Sequence, residues 1–324
     1  MNAPLPPASL RSPTLTTVFV GTAYCLAAAI LYTGANACLR ILADQAYQPW
    51  VICVKEAVTV LAVGPWLLYQ ARRGRRIWPA SSALLRLALV GLAVQFCGNL
   101  CLLWSLEVIG LSITIPVVIA VNLTMSAVLG RALLGEAVSV RSQLAIGALI
   151  VAVVLLKFGA SGAESSAGRI AWAVAAACLA GVTFAALAVT IRKSVTEAVP
   201  PTTVVFLITA MGVASLGPLS LGKLGWDGLW TTPPRLLGLM LLAGLLNFAA
   251  FLSITKGFQY ATVVRANVLS TSQAALAAIV GLLFFAEPPG MAVLAGILLT
   301  IIGTLLVEPG QHTGGCPKPG NPLR

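Results

Sequence analysis

Charge is what this sequence has least of. Of 324 residues only 9% are charged, while 59% are hydrophobic; a soluble domain carries about 25% charged residues. Surface-to-volume scaling leaves no way to hide that much apolar side chain in one soluble core. A soluble helical protein is therefore set aside and a polytopic membrane protein is expected, in keeping with a mean hydropathy of +0.97. Acid is scarcer than base, with 9 Asp and Glu against 20 Lys and Arg, for a formal charge of +11. The basic residues are scattered in short gaps between apolar runs. They read as topogenic charge and not as a nucleic-acid footprint, so no nucleic-acid partner is expected.

Histidine is nearly absent. The single one, His312, lies in the C-terminal tail, which excludes a Ser–His or metal–His site within the membrane. No glycine loop is followed by Lys and Ser/Thr in the phosphate-binding pattern, so ATP drive within this chain is not expected. Cys97 and Cys101 stand at i,i+4, but no further Cys or His completes a metal set. The cysteines in the apolar runs read as small buried hydrophobes, with no structural disulfide. An enzyme acting on lipid-linked substrates needs Asp, His or Arg gathered at one membrane face, and here the acids are spread along the chain. No enzyme, cofactor or metal is expected.

What the sequence does have is ten apolar runs of spanning length, near 17–41, 48–70, 83–106, 110–130, 140–158, 168–191, 201–221, 235–256, 260–285 and 290–307. A bilayer core roughly 30 Å thick takes about 20 such residues. The first run is too long for a signal-peptide core and reads as an uncleaved span. Residues 1–16 form a polar, Pro-rich tail, and residues 308–324 a Pro/Gly-rich tail expected to be disordered. With the N-terminus inside, thirteen Lys and Arg fall on the cytoplasmic side, among them Arg72, Arg73, Arg75 and Arg76. Five fall opposite (Arg40, Lys157, Arg169, Lys223 and Arg235), and Lys55 and Arg265 lie inside spans. Both termini are therefore expected in the cytoplasm.

Five spans and five spans show self-similarity. "RLALVGLAVQFCGNLCLLWSLEVIGLS" from Arg86 lies beside "RLLGLMLLAGLLNFAAFLSITKGFQYA" from Arg235, with Asn99 and Asn247 at nearly the same place. Glu136 matches Glu287, and Gly64-Pro65 matches Gly217-Pro218. An odd number of spans per half gives the halves opposite orientation, as in transporters whose substrate site lies at the midplane between inverted repeats. The expected fold is thus all-α: ten transmembrane helices in two inverted five-helix repeats around a central cavity, 17–158 and 168–307, joined by a loop at 159–167.

The string "LGEAVSVRSQLAIGALIVAVVLL", preceded by an apolar span with Pro116 near its start, resembles the EamA repeat of the drug/metabolite transporter (DMT) superfamily. Within it the chain is most similar to bacterial amino-acid exporters of the YddG type. The resemblance implies a multi-pass inner-membrane exporter of small metabolites, amino acids above all, working by alternating access. It also implies that the first, third, fourth, sixth, eighth and ninth spans line the pathway. A multidrug or hydrophobic-cation exporter is the alternative, and it would need an exposed cavity carboxylate, for which Glu56 is the candidate. Glu136 and Glu287, at short turns between spans, read as structural helix caps. The expected partners are a small-molecule substrate and the bilayer; oligomeric state is left open, and a monomer fits.

Ionisable residues inside spans are functional candidates, because burying them in lipid is costly. Lys55 and Glu56 stand about 100° apart on one helix and are not expected to face each other. Glu56 lies about 12 Å in from Gln48, close to the midplane, so it has a partner, faces water or is protonated. It serves either a structural bond or contact with a substrate ammonium or coupling proton. Arg265 lies about 8 Å in from Tyr260. It reaches the cytoplasmic interface, captures a substrate carboxylate or pairs with another span. The substrate-binding candidates are Tyr32, Asn36, Glu56, Gln95, Asn99, Trp104, Phe184, Asn247, Arg265 and Asn267. Polar members of such a set also serve as glue between membrane helices. Pro65, Pro116 and Pro218 are candidate bends for the transport motion.

Overall fold

The computed structural model describes residues 15–74, 78–134, 167–196, 199–260, 272–286 and 298. These form eight helices: α1 (Leu15–Leu42), α2 (Gln48–Arg72), α3 (Ser81–Ile109), α4 (Leu111–Leu134), α5 (Ala167–Thr196), α6 (Pro201–Trp230), α7 (Pro234–Tyr260) and α8 (Ser272–Phe285). Seven of them, α1 to α7, are long and apolar enough to cross a membrane. The expected spans at 140–158 and 290–307 fall outside the described residues apart from Leu298, as does the first part of the span at 260–285.

Local chemistry accounts for several boundaries. Proline occupies the first turn of α2 and α6, where its missing N–H has no helical partner to lose. Gly110 alone separates α3 from α4, at φ 76° and ψ 177°, a backbone state open to glycine and costly for residues with a Cβ. The expected loop at 222–234 is shorter than the composition suggests. Helix continues to Trp230, with its torsion break at Gly225 (φ 68°, ψ 174°). Pro65, Pro116 and Pro218 each lie inside a helix, and the break in α6 falls at Gly225 and not at Pro218.

Contacts between helix ends define two faces. At face A, Trp50 at the start of α2 donates to Thr232 before α7 at 3.1 Å. There too, Arg40 near the end of α1 stacks over Phe285 at the end of α8. At face B, Lys256 near the end of α7 lies over the Tyr24 ring near the start of α1. Trp66, Tyr69 and Trp78 are exposed towards face B, and Trp172, Trp226 and Trp230 towards face A. Aromatic side chains at both ends are what two membrane–water interfaces select. Between them Leu61, Leu85, Leu89, Leu245 and Leu283 are exposed, an outer surface suited to lipid and unsuited to water.

The interhelical packing has a regular pattern. α1 packs on α7, α3 on α5, α2 on α7 and α3 on α6; α4 packs on α5 and α8 on α1; α2 meets α6 and α4 meets α8. Exchanging α1–α4 for α5–α8 in order maps these most extensive contacts onto themselves, while smaller ones such as α2–α3 and α3–α4 have no counterpart of similar extent. The main core cluster, including Leu42, Val51, Ile52, Leu103, Leu106 and Leu111, fills the bundle towards face A.

Candidate functional site

The bundle encloses a cavity of about 260 Å³. Towards face A its lining reaches Leu39, Leu102 and Ile115, which belong to the packed core. Towards face B it continues to Ile191, Val205 and Ile254, each within about 10 Å of its helix end.

One end of the lining is polar. On α2, Lys55 and Glu56 are both 3% exposed, and Lys55 Nζ lies 2.9 Å from Glu56 Oε1. The expectation that these neighbours do not face each other is corrected here. Their Cβ atoms diverge by about 100°, but the Lys stem is long enough to fold back along the helix.

The partners of this pair come from α3. Residues 94–100 form a π-helical segment within it, a local widening that recurs at functional sites. It places Gln95 and Asn99 one above the other. Asn99 Nδ2 donates to Glu56 Oε1 at 3.1 Å and to Gln95 Oε1 at 2.8 Å, and Asn99 Oδ1 accepts from Lys55 Nζ at 3.1 Å. Gln95 Nε2 in turn donates to the Ile208 carbonyl of α6 at 3.1 Å. The partners fix both amide orientations, since either flip would set like against like. Gly212 of α6 makes the last link possible: a Cβ there would sit 2.8 Å from Gln95 Cδ.

The network is satisfied inside and open towards the cavity. Among the described residues Glu56 Oε2 accepts no hydrogen bond, and one Lys55 proton has no acceptor. Thr59, one turn along α2, has its hydroxyl buried without a partner. Thr33, Thr183, Thr190 and Thr209 each return theirs to a carbonyl four residues back. A buried hydroxyl left unpaired costs stability unless something else comes to satisfy it.

The other end of the lining is apolar, with Phe184, Leu187 and Ile191 of α5, Val205 of α6, and Phe251 and Ile254 of α7. Of the sequence candidates, Tyr32, Asn36, Glu56, Gln95, Asn99, Phe184 and Asn247 line this cavity. Trp104 does not. It stands two residues past Leu102, about 200° round α3. Arg265 and Asn267 lie outside the described residues, as do Glu136 and Glu287. Lys55, Thr59, Asn122 and Gln273 line the cavity without having been among those candidates. The cue for Lys55 was present in the sequence as an ionisable residue inside a span. The second and seventh spans, which the family resemblance leaves out of the pathway, contribute through α2 and α6.

A multi-pass helical membrane protein with a polar-headed internal cavity is the class this structure defines. Residues 171–308 match the model of the EamA-like transporter family, a DMT-type domain that begins in α5 and extends past α8. This is a family of transporters, so the match points to a membrane transporter. No curated protein matches the chain. A solved structure described as "Crystal structure of protein" aligns over 88% of this chain and 95% of its own, with a TM-score of 0.58 and 17% identity. At that identity the likeness is one of fold.

Proposed function

We propose that this protein is a secondary transporter that carries small zwitterionic metabolites, most simply neutral and aromatic amino acids, out of the bacterial cell across the inner membrane. The observation that carries the reading is the unfilled pairing at the polar end of the cavity. Among the described residues, the second carboxylate oxygen of Glu56 and the third ammonium proton of Lys55 have no partner, and both residues line the cavity, a pairing complementary to the ammonium and carboxylate of one amino acid. The apolar wall of Phe184, Leu187 and Phe251 then receives the side chain. At about 260 Å³ the cavity lies below the roughly 300–1,000 Å³ of pockets for drug-sized ligands, which favours a small metabolite over a bulky drug.

Two inverted halves, 17–158 and 168–307, are part of the same proposal. The exchange symmetry of the most extensive helix contacts supports them, and the basic side-chain bias favours face B and both termini on the cytoplasmic side. Export of hydrophobic cations is less well served, because the carboxylate it needs is already held by Lys55. Purified protein in liposomes, assayed for flux of a panel of amino acids with and without a proton gradient, tests the proposal. Saturable flux of neutral or aromatic members is expected, and no flux for any of them refutes it.

A further inference from the structure

Among the described residues, Lys55 and Glu56 are the charged side chains that line the cavity. Their pairing is intimate, with Nζ and Oε1 2.9 Å apart, and Asn99 Oδ1 holds the ammonium at 3.1 Å. The ammonium therefore takes up one of the two Glu56 carboxylate oxygens and offsets the carboxylate's charge. Among the described lining residues the pair sums to zero charge, and both side chains are buried. A cargo of net charge adds an uncompensated ion there, which is expensive, whereas a neutral or zwitterionic cargo does not.

We propose that Lys55 is the charge-selecting residue of this cavity: a resident counter-cation that offsets the charge of Glu56 and so restricts cargo to molecules of zero net charge. This rests on the cavity being the place where cargo binds. It makes a reciprocal statement about the two partners. Lys55→Gln leaves Glu56 with Asn99 alone and opens the cavity to an organic cation. Glu56→Gln leaves the ammonium without its carboxylate and opens the cavity to an organic anion. The double variant is neutral again and accepts neither.

Equilibrium binding to detergent-purified full-length protein tests this, with size-exclusion elution and thermal unfolding as checks on folding. The probes are phenethylammonium, 3-phenylpropionate and phenylalanine, matched in size and differing in charge. The K55Q variant is expected to bind phenethylammonium about tenfold or more tighter than the parent, and E56Q to bind 3-phenylpropionate tighter by a similar factor. The double variant gains neither. A folded K55Q without gain for the cation, or a folded E56Q without gain for the anion, overturns the proposal. Should both single variants unfold, competition in the parent decides: phenethylammonium displacing phenylalanine overturns the proposal, and failure to displace it supports it. The underlying cargo reading fails separately, if the parent binds no phenylalanine at all.

Discussion

Asn99 on α3 donates to Glu56 on α2 at 3.1 Å, and the same carboxamide serves Lys55 and Gln95. One neutral side chain thus satisfies both charges of the pair and ties two helices at mid-depth. Asn99→Leu removes all three bonds and leaves the charges underserved. Each lost hydrogen bond to a buried charged group costs about 1.5–3 kcal/mol. A clear fall in the thermal unfolding midpoint in detergent is expected, together with loss of flux. An unchanged midpoint and unchanged flux would show that the network matters to neither.

Gly212 is the seat of the Gln95 carboxamide. Gly212→Ala sets a Cβ 2.8 Å from Gln95 Cδ, and such overpacking costs about 1–3 kcal/mol. The cost should shrink in a Gln95→Ala background, where the obstructing side chain is gone. Gly222→Ala, with open space around its Cβ, serves as the comparison. Equal penalties for Gly212→Ala with and without Gln95 would contradict the packing described here.

At face A, Glu107 near the end of α3 accepts from Arg169 at the start of α5 at 3.0 Å and from Gln48 at the start of α2 at 2.9 Å. The Arg169 side chain is 53% exposed and that of Glu107 28%, so the pair adds less than about 1 kcal/mol to stability. Its expected effect is on the balance between closed and open states at that face, since about 1 kcal/mol shifts a two-state ratio roughly fivefold. Glu107→Gln should leave the unfolding midpoint nearly unchanged while changing the rate of flux, and high salt should mimic it in the parent. A large stability loss without a change in rate would mean that the contact is only a structural tie.

Two aromatic residues separate lining from surroundings. Phe184 lies over Gly98, where an added Cβ would meet its ring at 2.9 Å, and it faces the cavity. Phe184→Ala enlarges the apolar end and should move the preference towards larger side chains. Trp104→Ala should leave relative affinities within about twofold, a difference of roughly 0.4 kcal/mol. Competition binding with phenylalanine, leucine and tryptophan measures both. A strong selectivity change in Trp104→Ala would place that residue at the site after all.

Seven of the ten expected spans, and the polar candidates that line the cavity, were legible for one physical reason. Lipid tolerates unbroken apolar helices and penalises each polar group within them. Glu56, Gln95, Asn99 and Asn247 therefore stood out against the apolar background, and the fold brings them to one cavity. The Lys55–Glu56 contact was hidden because a helical wheel gives Cβ directions and not the reach of a long stem. The π-helical segment had no proline to mark it, and Trp104 shares its composition with interface aromatics. The extent of α6 past Gly225 was hidden by glycines that read as loop. Arg265, whose reach to the cytoplasmic interface was weighed against carboxylate capture, falls with Asn267 outside the described residues.

The central claim is that the Lys55–Glu56–Asn99 end of the cavity binds a small zwitterion that the protein then moves. Counterflow in proteoliposomes tests it most directly, with radiolabelled phenylalanine outside and unlabelled phenylalanine trapped within. The account predicts saturable accumulation with the parent protein and its loss with correctly inserted Asn99→Leu. Counterflow that is absent from the parent across a panel of amino acids, or that persists undiminished in Asn99→Leu, would contradict it.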